Sequence, residues 1–307
     1  MKIQNYSAEP LYKLYNWIPH DLKAEEIVFF LDACPGKSPL PTGTVVKTYQ
    51  DDWRKFAVSD CGCGMLLAKS QLTKEDFSKQ LWKEVYSDLK KNKGKLGDLG
   101  SGNHFLDAIV SYDDGELYFL IHTGSRSESN LVDHLVEKPD EFDTTFAAVC
   151  GWAADNRKAV LGIVEKHFGR TELQIDKNHN HYELVDDYVI IRKGAAKLLP
   201  GEVTVVPSNM IGDTVTVRGT DKVSTVYNSM CHGTGRTMSR SAAKGMSDSY
   251  DYNSLRDKIY IPEAIKNQSI KTDAPYCYRD IDDCLLLIED LISVEQRFKP
   301  IAYLGQI

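Results

Sequence analysis

The chain is expected to form a single mixed α/β domain, with a strand-rich core and flanking helices. Three observations lead there. Apolar, β-branched runs such as EEIVFFLDA, GELYFLIH and DYVIIRKG recur along the 307 residues and read as strands. Segments with apolar residues at helical spacing stand between them. The two kinds do not keep a regular βαβ beat, and neither a G-x-G-x-x-G nor a Walker P-loop is present, so Rossmann and P-loop organisations are excluded.

EEIVFFLDA reads as a buried strand entering the turn CPGKSPLPTG, and GTVVKTY as the next strand. TKEDFSKQLWKEVYSDLKK predicts a helix capped by Thr73. Acids lie in its first turn, lysines in its last, and Phe77, Leu81, Val85 and Leu89 share a face. GELYFLIH predicts a strand with His122 at its end. DEFDTTFAAVCGWAADNRKAVLGIVEKHFG predicts a helix stopping near Gly169. DYVIIRKG, EVTVVPS, DTVTVRG and STVYNSM read as strands with short connections, and RDIDDCLLLIEDLISVEQRF as a C-terminal helix. No internal repeat, low-complexity stretch or Pro-rich linker divides the chain, so residues 1–307 are read as one domain.

Composition narrows the class. With 42% hydrophobic and 26% charged residues the chain is ordinary for a soluble globular protein. There is no apolar run of membrane-spanning length and no signal-peptide h-region at the N-terminus, so the cytoplasm is the expected compartment. Seven irregularly spaced cysteines suit reduced thiols better than disulfides. A net charge of −7 argues against a protein that coats nucleic acid non-specifically, but leaves room for a local basic track.

The residues that carry chemistry lie in short segments rich in glycine and small polar groups. Asp60 and Cys63 stand in VSDCGCGM, His104 in LGSGNHF, His122 in LIHTGSR and His179 in KNHNH. A carboxylate, a thiolate and imidazoles form a borderline donor set that suits Zn, Mn, Co or Fe better than Mg or Ca. The D-x-x-C spacing, with Gly62 and Gly64, lets one loop turn both side chains toward one point. His232 stands in SMCHGTGR. A histidine nitrogen can attack an α-phosphate, Gly233 and Gly235 permit close backbone approach, and Arg236 could stabilise charge on phosphate, although by itself the segment also reads as a histidine in a Gly-rich turn.

Taken together and in this order, these motifs resemble the RtcB family of RNA ligases, from LDACPGKSPLPTG to RFKPIAYLG. The resemblance implies a fold of the RtcB type and a two-manganese site, Mn²⁺ being held by Asp60, Cys63, His104, His122 and His179. In it Cys63 bridges the ions, Asp60 and His104 lean to one, and His122 and His179 to the other. It also implies GTP as cofactor and His232 as the guanylated catalytic residue. By the same resemblance Asn103, Asp107, Asn180, Asn209, Gly233, Gly235, Arg236 and Tyr278 contact the nucleotide. Arg192, Lys193 and Arg240, beside these motifs, are the candidates for RNA binding. The chain departs from the family at Cys34, where a histidine is usual, at Asp107 for glutamate, Asn209 for serine and Arg279 for lysine. Leu304 or Gly305 stands where a lysine packs on guanine. It is also shorter than typical members.

The function this implies is joining RNA 3′-phosphate or 2′,3′-cyclic phosphate ends to 5′-hydroxyl ends, in RNA repair or tRNA splicing. Two other readings stand beside it. One is a metal-dependent phosphoesterase or nucleotidyl transferase that does not seal RNA. The other is a non-catalytic RNA-end-binding protein.

Overall fold

A computed structural model describes residues 1–35, 38–305 and 307. Gly36 and Lys37 of the predicted turn, and Gln306, lie outside the described residues. The fold is mixed α/β. Its strands in chain order are β1 (Lys2–Asn5), β2 (Ala24–Cys34), β3 (Thr42–Thr48), β4 (Gly64–Thr73), β5 (Phe105–Ser111), β6 (Glu116–Thr123) and β7 (Thr171–Asn178). They continue with β8 (Asn180–Val185), β9 (Tyr188–Lys193), β10 (Ala195–Lys197), β11 (Val203–Pro207), β12 (Thr214–Gly219), β13 (Ser229–Cys231) and β14 (Ile292–Gly305).

One sheet has the order β1-β2-β3-β9-β8 and a larger one β11-β12-β14-β5-β6-β4-β7, while β10 and β13 form a small ladder. Among these strands only β1 and β2 pair in parallel; their other described strand pairings are antiparallel. Period-two alternation lets a central strand bury both of its faces. On β6, Leu117, Phe119 and Ile121 join the core beneath the helices, whereas Tyr118 and Leu120 join a second cluster with Met65, Ile109 and Phe298. His122, next in the alternation, shares the face of Tyr118 and Leu120. A third cluster joins Val28, Phe30 and Val45 of one sheet to Val206, Val215 and Val217 of the other.

The long helix Pro139–Phe168 matches its prediction, with Gly169 at φ 83° as its stop. Three expectations are corrected. The helix after Thr73 begins only at Lys79 and is capped by Ser78, whose hydroxyl accepts from the Leu81 amide. Thr73 and Asp76 instead form a reciprocal capping box on a short 3₁₀ turn. The predicted C-terminal helix is confined to Ile281–Leu287, and β14 follows. There the backbone of β12 supplies a ladder along Ile292–Phe298, which β5 continues from Phe298 to Gly305, and this long-range pairing overrides local helical spacing. In STVYNSM only Ser229–Cys231 is strand. The preceding residues form a 3₁₀ turn ended by left-handed Tyr227 and Asn228.

Candidate metal and nucleotide site

The site gathers at one end of the larger sheet, where the second sheet abuts it. Cys63 and His104 stand just before β4 and β5. His122 is near the end of β6, His179 lies between β7 and β8, and His232 follows β13. The loop before Cys63 is unusual backbone, with Ser59 at φ 75° and Asp60 at φ 57°. Non-glycine residues hold such angles only where their surroundings fix them. Here Asn180 Nδ2 donates to the Asp60 carbonyl at 2.9 Å, Lys193 Nζ to the Ser59 carbonyl at 2.6 Å, and Arg157 Nη1 to the Gly62 carbonyl at 2.9 Å.

All five predicted metal ligands come together. Ligand atoms of Cys63, His122 and His179 lie within 4.8 Å of one another, as do those of Asp60, Cys63 and His104, so the two groups share Cys63. Its Sγ is 3.4 Å from His104 Nε2 and 3.3 Å from His122 Nε2. His122 Nδ1 donates to the Asn103 carbonyl at 3.1 Å, which fixes the ring and frees Nε2 toward the sulfur. His179 Nδ1 is buried without a hydrogen-bond partner. Three buried histidines and Asp60 converging on one sulfur, with a histidine nitrogen unsatisfied, fit a pair of borderline divalent ions.

The electrostatics suit the same purpose. Burial holds His104 down at about 4, and holds His122 and His179 well below the usual histidine range, so all three are neutral at pH 7. Burial, reinforced by the charge of Asp60, pushes the Cys63 thiol well above its ordinary value. Arg126 stands 2.8 Å from His104 Nδ1, and its charge adds to the downward pull on that ring.

His232 is packed against this cluster, its ring centroid 4.3 Å from that of His179 and 5.7 Å from that of His122. Its Nδ1–H is directed at the Gly194 carbonyl at 2.9 Å, and the Asp32 carboxylate stands 2.7 Å from the same nitrogen as an ionic neighbour. Both of these contacts fall on Nδ1, so neither occupies Nε2. Burial would lower the ring's basicity, but Asp32 and the Gly194 hydrogen bond together raise the pKa above its ordinary value. Asp32 was not among the predicted site residues. It is 1% exposed, near the end of its strand, directly after the apolar run Ile27–Leu31. An acid inside VFFLDA was the only available signal. Its neighbour across the site explains one glycine: Gly235 has φ 72°, and a Cβ there would lie 2.3 Å from Asp32 Cα.

A cleft of about 730 Å³ opens beside His232. Its walls include Asn103, Asp107, Asn209, Gly233, Gly235, Arg236 and Tyr278, with Lys193 and Arg240 also on the lining. Arg236 lies over the Tyr278 ring, 5.3 Å from its centroid, and donates to the Thr272 carbonyl. Two predicted residues are placed differently. Asn180 uses both ends of its amide on backbone, accepting from Gly194 N–H at 2.8 Å besides bracing Asp60, so it holds the loops rather than lining the cleft. Arg192 is 2% exposed and spends its guanidinium on Ser229, the Tyr227 carbonyl and Glu183. Adjacent residues on β9 face opposite ways, so Arg192 and Lys193 do not form one basic track. Lys193 is itself buried against the Asp60 loop. Of the three candidates, Arg240 alone has a half-exposed side chain. Asn156 and Arg157 of the long helix were also missed. Asn156 ties Gly97 N–H to the Asp98 and Gly124 carbonyls, and Arg157 pairs with Asp176 at 2.6 Å while holding Gly62.

The family model described as tRNA-splicing ligase RtcB matches residues 139–306. The chain belongs to the RtcB family. It is 25% identical over 246 residues to the RNA-splicing ligase RtcB of Escherichia coli (strain K12), an alignment covering 66% of this chain and 59% of that protein. It is 25% identical over 297 residues to the tRNA-splicing ligase RtcB of Nanoarchaeum equitans, covering 71% and 62%. The corresponding protein of Archaeoglobus fulgidus is 27% identical over 277 residues, covering 65% and 57%. This RtcB chain thus spans about three fifths of the length of these curated relatives. Among the described residues no helix is long and apolar enough to cross a membrane.

Proposed function

We propose that this chain is an RNA ligase acting through a nucleotidylated histidine, all 307 residues serving as one catalytic domain. The observation that carries the reading is the His232 ring packed beside two donor groups that share Cys63, at the mouth of the nucleotide-sized cleft. Asp60, Cys63, His104, His122 and His179 would hold two Mn²⁺ ions, which supply Lewis-acid activation of phosphate when bound.

In the first step His232 Nε2 attacks the α-phosphorus of a nucleoside triphosphate, GTP by resemblance to the family. The N–P bond forms as the α–β phosphoanhydride breaks and pyrophosphate leaves. The ring becomes cationic with its proton on Nδ1, where the Gly194 carbonyl and Asp32 stabilise it. The nucleotidyl group then passes to an RNA 3′-phosphate, and His232 leaves. An RNA 5′-hydroxyl attacks that activated end, forming a 3′,5′-phosphodiester and releasing the nucleoside monophosphate. A 2′,3′-cyclic phosphate must first be opened by water. Lys193 and Arg240 on the cleft lining are the cations available to an incoming phosphate. RNA repair or tRNA splicing in the cytoplasm is the corresponding role.

Incubation with Mn²⁺ and α-labelled nucleoside triphosphate tests this. An acid-labile, base-stable adduct is expected, absent in His232→Ala although its metal content is intact. Nucleotide breakdown without an adduct would indicate a phosphoesterase, and a wild-type level of adduct in His232→Ala would remove His232 from the role.

A further inference from the structure

The short helix Leu11–Trp17 stands on the wall of the cleft, with Glu9, Lys13 and Trp17 on the lining. Two ties fix it there. Leu14, its one buried residue, joins the core cluster of Phe29, Val46 and Phe142. Glu9 Oε1 accepts from Nη2 of Arg279, also on the lining, at 2.8 Å, and Lys13 Nζ stands 3.2 Å from Glu9 Oε2. The outer face of the helix is open. Leu11 is 50% exposed, Tyr12 66% and Tyr15 54%. Successive residues of a helix turn by about 100°. Going round from the cleft side, Lys13 is followed by Asn16, Tyr12, Tyr15 and Leu11, and Tyr12 stands nearly opposite the buried Leu14. A path that leaves the cleft past Lys13 therefore crosses Asn16 and then the two tyrosines.

We propose that Tyr12 and Tyr15 form a stacking platform for single-stranded RNA, holding the nucleotides that lie next to the reacting end outside the cleft. This rests on reading the cleft as an RNA-ligase site.

Three observations favour RNA over a protein as the occupant. The face is continuous with the cleft that receives the phosphate end, and a cation, Lys13, marks the join. Its exposed rings are phenols, whose faces stack on a base of any sequence while the hydroxyls stay in water. A single aliphatic side chain, Leu11, adds little to the area that a stable protein interface buries. Charge points the same way. The chain carries a net −7, Arg192 is spent on internal contacts and Lys193 is buried, so phosphate attraction outside the cleft is small. Stacking supplies affinity that does not depend on it. The helix is already pinned at Leu14 and Glu9, so its backbone need not be ordered when a strand binds.

The test is calorimetric binding of two RNAs with 5′-hydroxyl and 3′-phosphate ends, a dinucleotide and a decanucleotide, to the full chain with Mn²⁺ and no nucleoside triphosphate. The dinucleotide reports the cleft, and the ratio of the two affinities reports what lies beyond it. In the wild type the decanucleotide is expected to bind at least roughly tenfold more tightly. Tyr12→Ala combined with Tyr15→Ala should lose most of that gain while keeping the unfolding midpoint, since both side chains are more than half exposed. Tyr12→Phe combined with Tyr15→Phe keeps the ring faces and should keep the gain. A gain unchanged in the alanine variant, lost equally in the phenylalanine variant, or absent from the wild type would overturn the platform and leave the ligase reading standing. Self-association of the wild type that the alanine variant abolishes would assign the face to a second copy and overturn it too. Binding of neither RNA by the wild type would end both readings.

Discussion

Replacing Cys63 by serine tests the centre of this site, because one sulfur serves two groups of donors. Ligand atoms in each group lie within 4.8 Å of one another, and only Cys63 belongs to both. Cys63→Ser is therefore expected to lose both ions, whereas Asp60→Asn should weaken only the group shared with His104. Proton bookkeeping gives the expected size of the pH effect. Without metal the thiol is protonated at neutral pH, since burial and Asp60 push it well above its ordinary value. The histidines are already neutral, His104 being held at about 4 and the other two well below the usual range. Loading must then release about one proton per protein, from the shared thiol, and not one per ion. Apparent affinity should rise about tenfold per pH unit from pH 7 to 9, or about 1.4 kcal/mol per unit. A site limited by histidines would instead level off above their low values, with no rise in that range. Titration calorimetry in buffers of different ionisation enthalpy measures the proton, and elemental analysis the stoichiometry. Cys61→Ser is the control. That thiol is buried toward the Ala57 carbonyl, outside both groups, and should keep both metals. Equal metal in Cys63→Ser, or a flat affinity above pH 7 with no buffer dependence, would refute the shared-thiolate reasoning.

Other outcomes follow from neighbouring contacts. Asp32→Asn removes the charge 2.7 Å from His232 Nδ1 and should slow nucleotidylation by roughly a hundredfold while metal content holds, as single-turnover labelling would reveal. A rate within twofold of wild type would make Asp32 a packing residue. Gly235→Ala must place a Cβ 2.3 Å from Asp32 Cα at a left-handed φ, so a loss of at least about 1–3 kcal/mol is expected by denaturant unfolding. Arg192→Met should lower stability by about 1.5–3 kcal/mol through its hydrogen bonds to Ser229, Tyr227 and Glu183, yet leave the salt dependence of RNA joining unchanged. Lys193→Glu should reduce bound metal as well as RNA joining, because its ammonium holds the Ser59 carbonyl beside Asp60. Full metal with a flattened salt slope would instead make Lys193 a phosphate contact alone.

Much of this was legible along the chain. Apolar runs of β-branched residues marked most strands, and the long helix announced both its periodicity and its glycine stop. The donor residues were legible because histidine, cysteine and aspartate between glycines are chemically conspicuous. Where the chain failed as a guide, the deciding partner was remote in sequence. ISVEQRF is strand because β12 offers it a ladder from positions 214–219, which β5 takes over from Phe298 onward. Thr73 looks like a helix cap until Asp76 closes a separate turn on it.

By itself the sequence determined which donors were available, and that glycine would let backbone crowd around them, because residue type sets chemistry and permitted φ. Tertiary structure alone decided their assignments. Strand alternation turned Lys193 toward the site and Arg192 away from it, although they are neighbours. Pairing of β5 with β14 set Asp107 against Tyr303 across nearly two hundred residues. Packing of the two sheets brought Asp32 beneath His232 and used Asn180 to brace backbone. Such roles depend on which groups share a buried volume, and that is a property of the folded chain, since burial and distance arise only when remote segments meet.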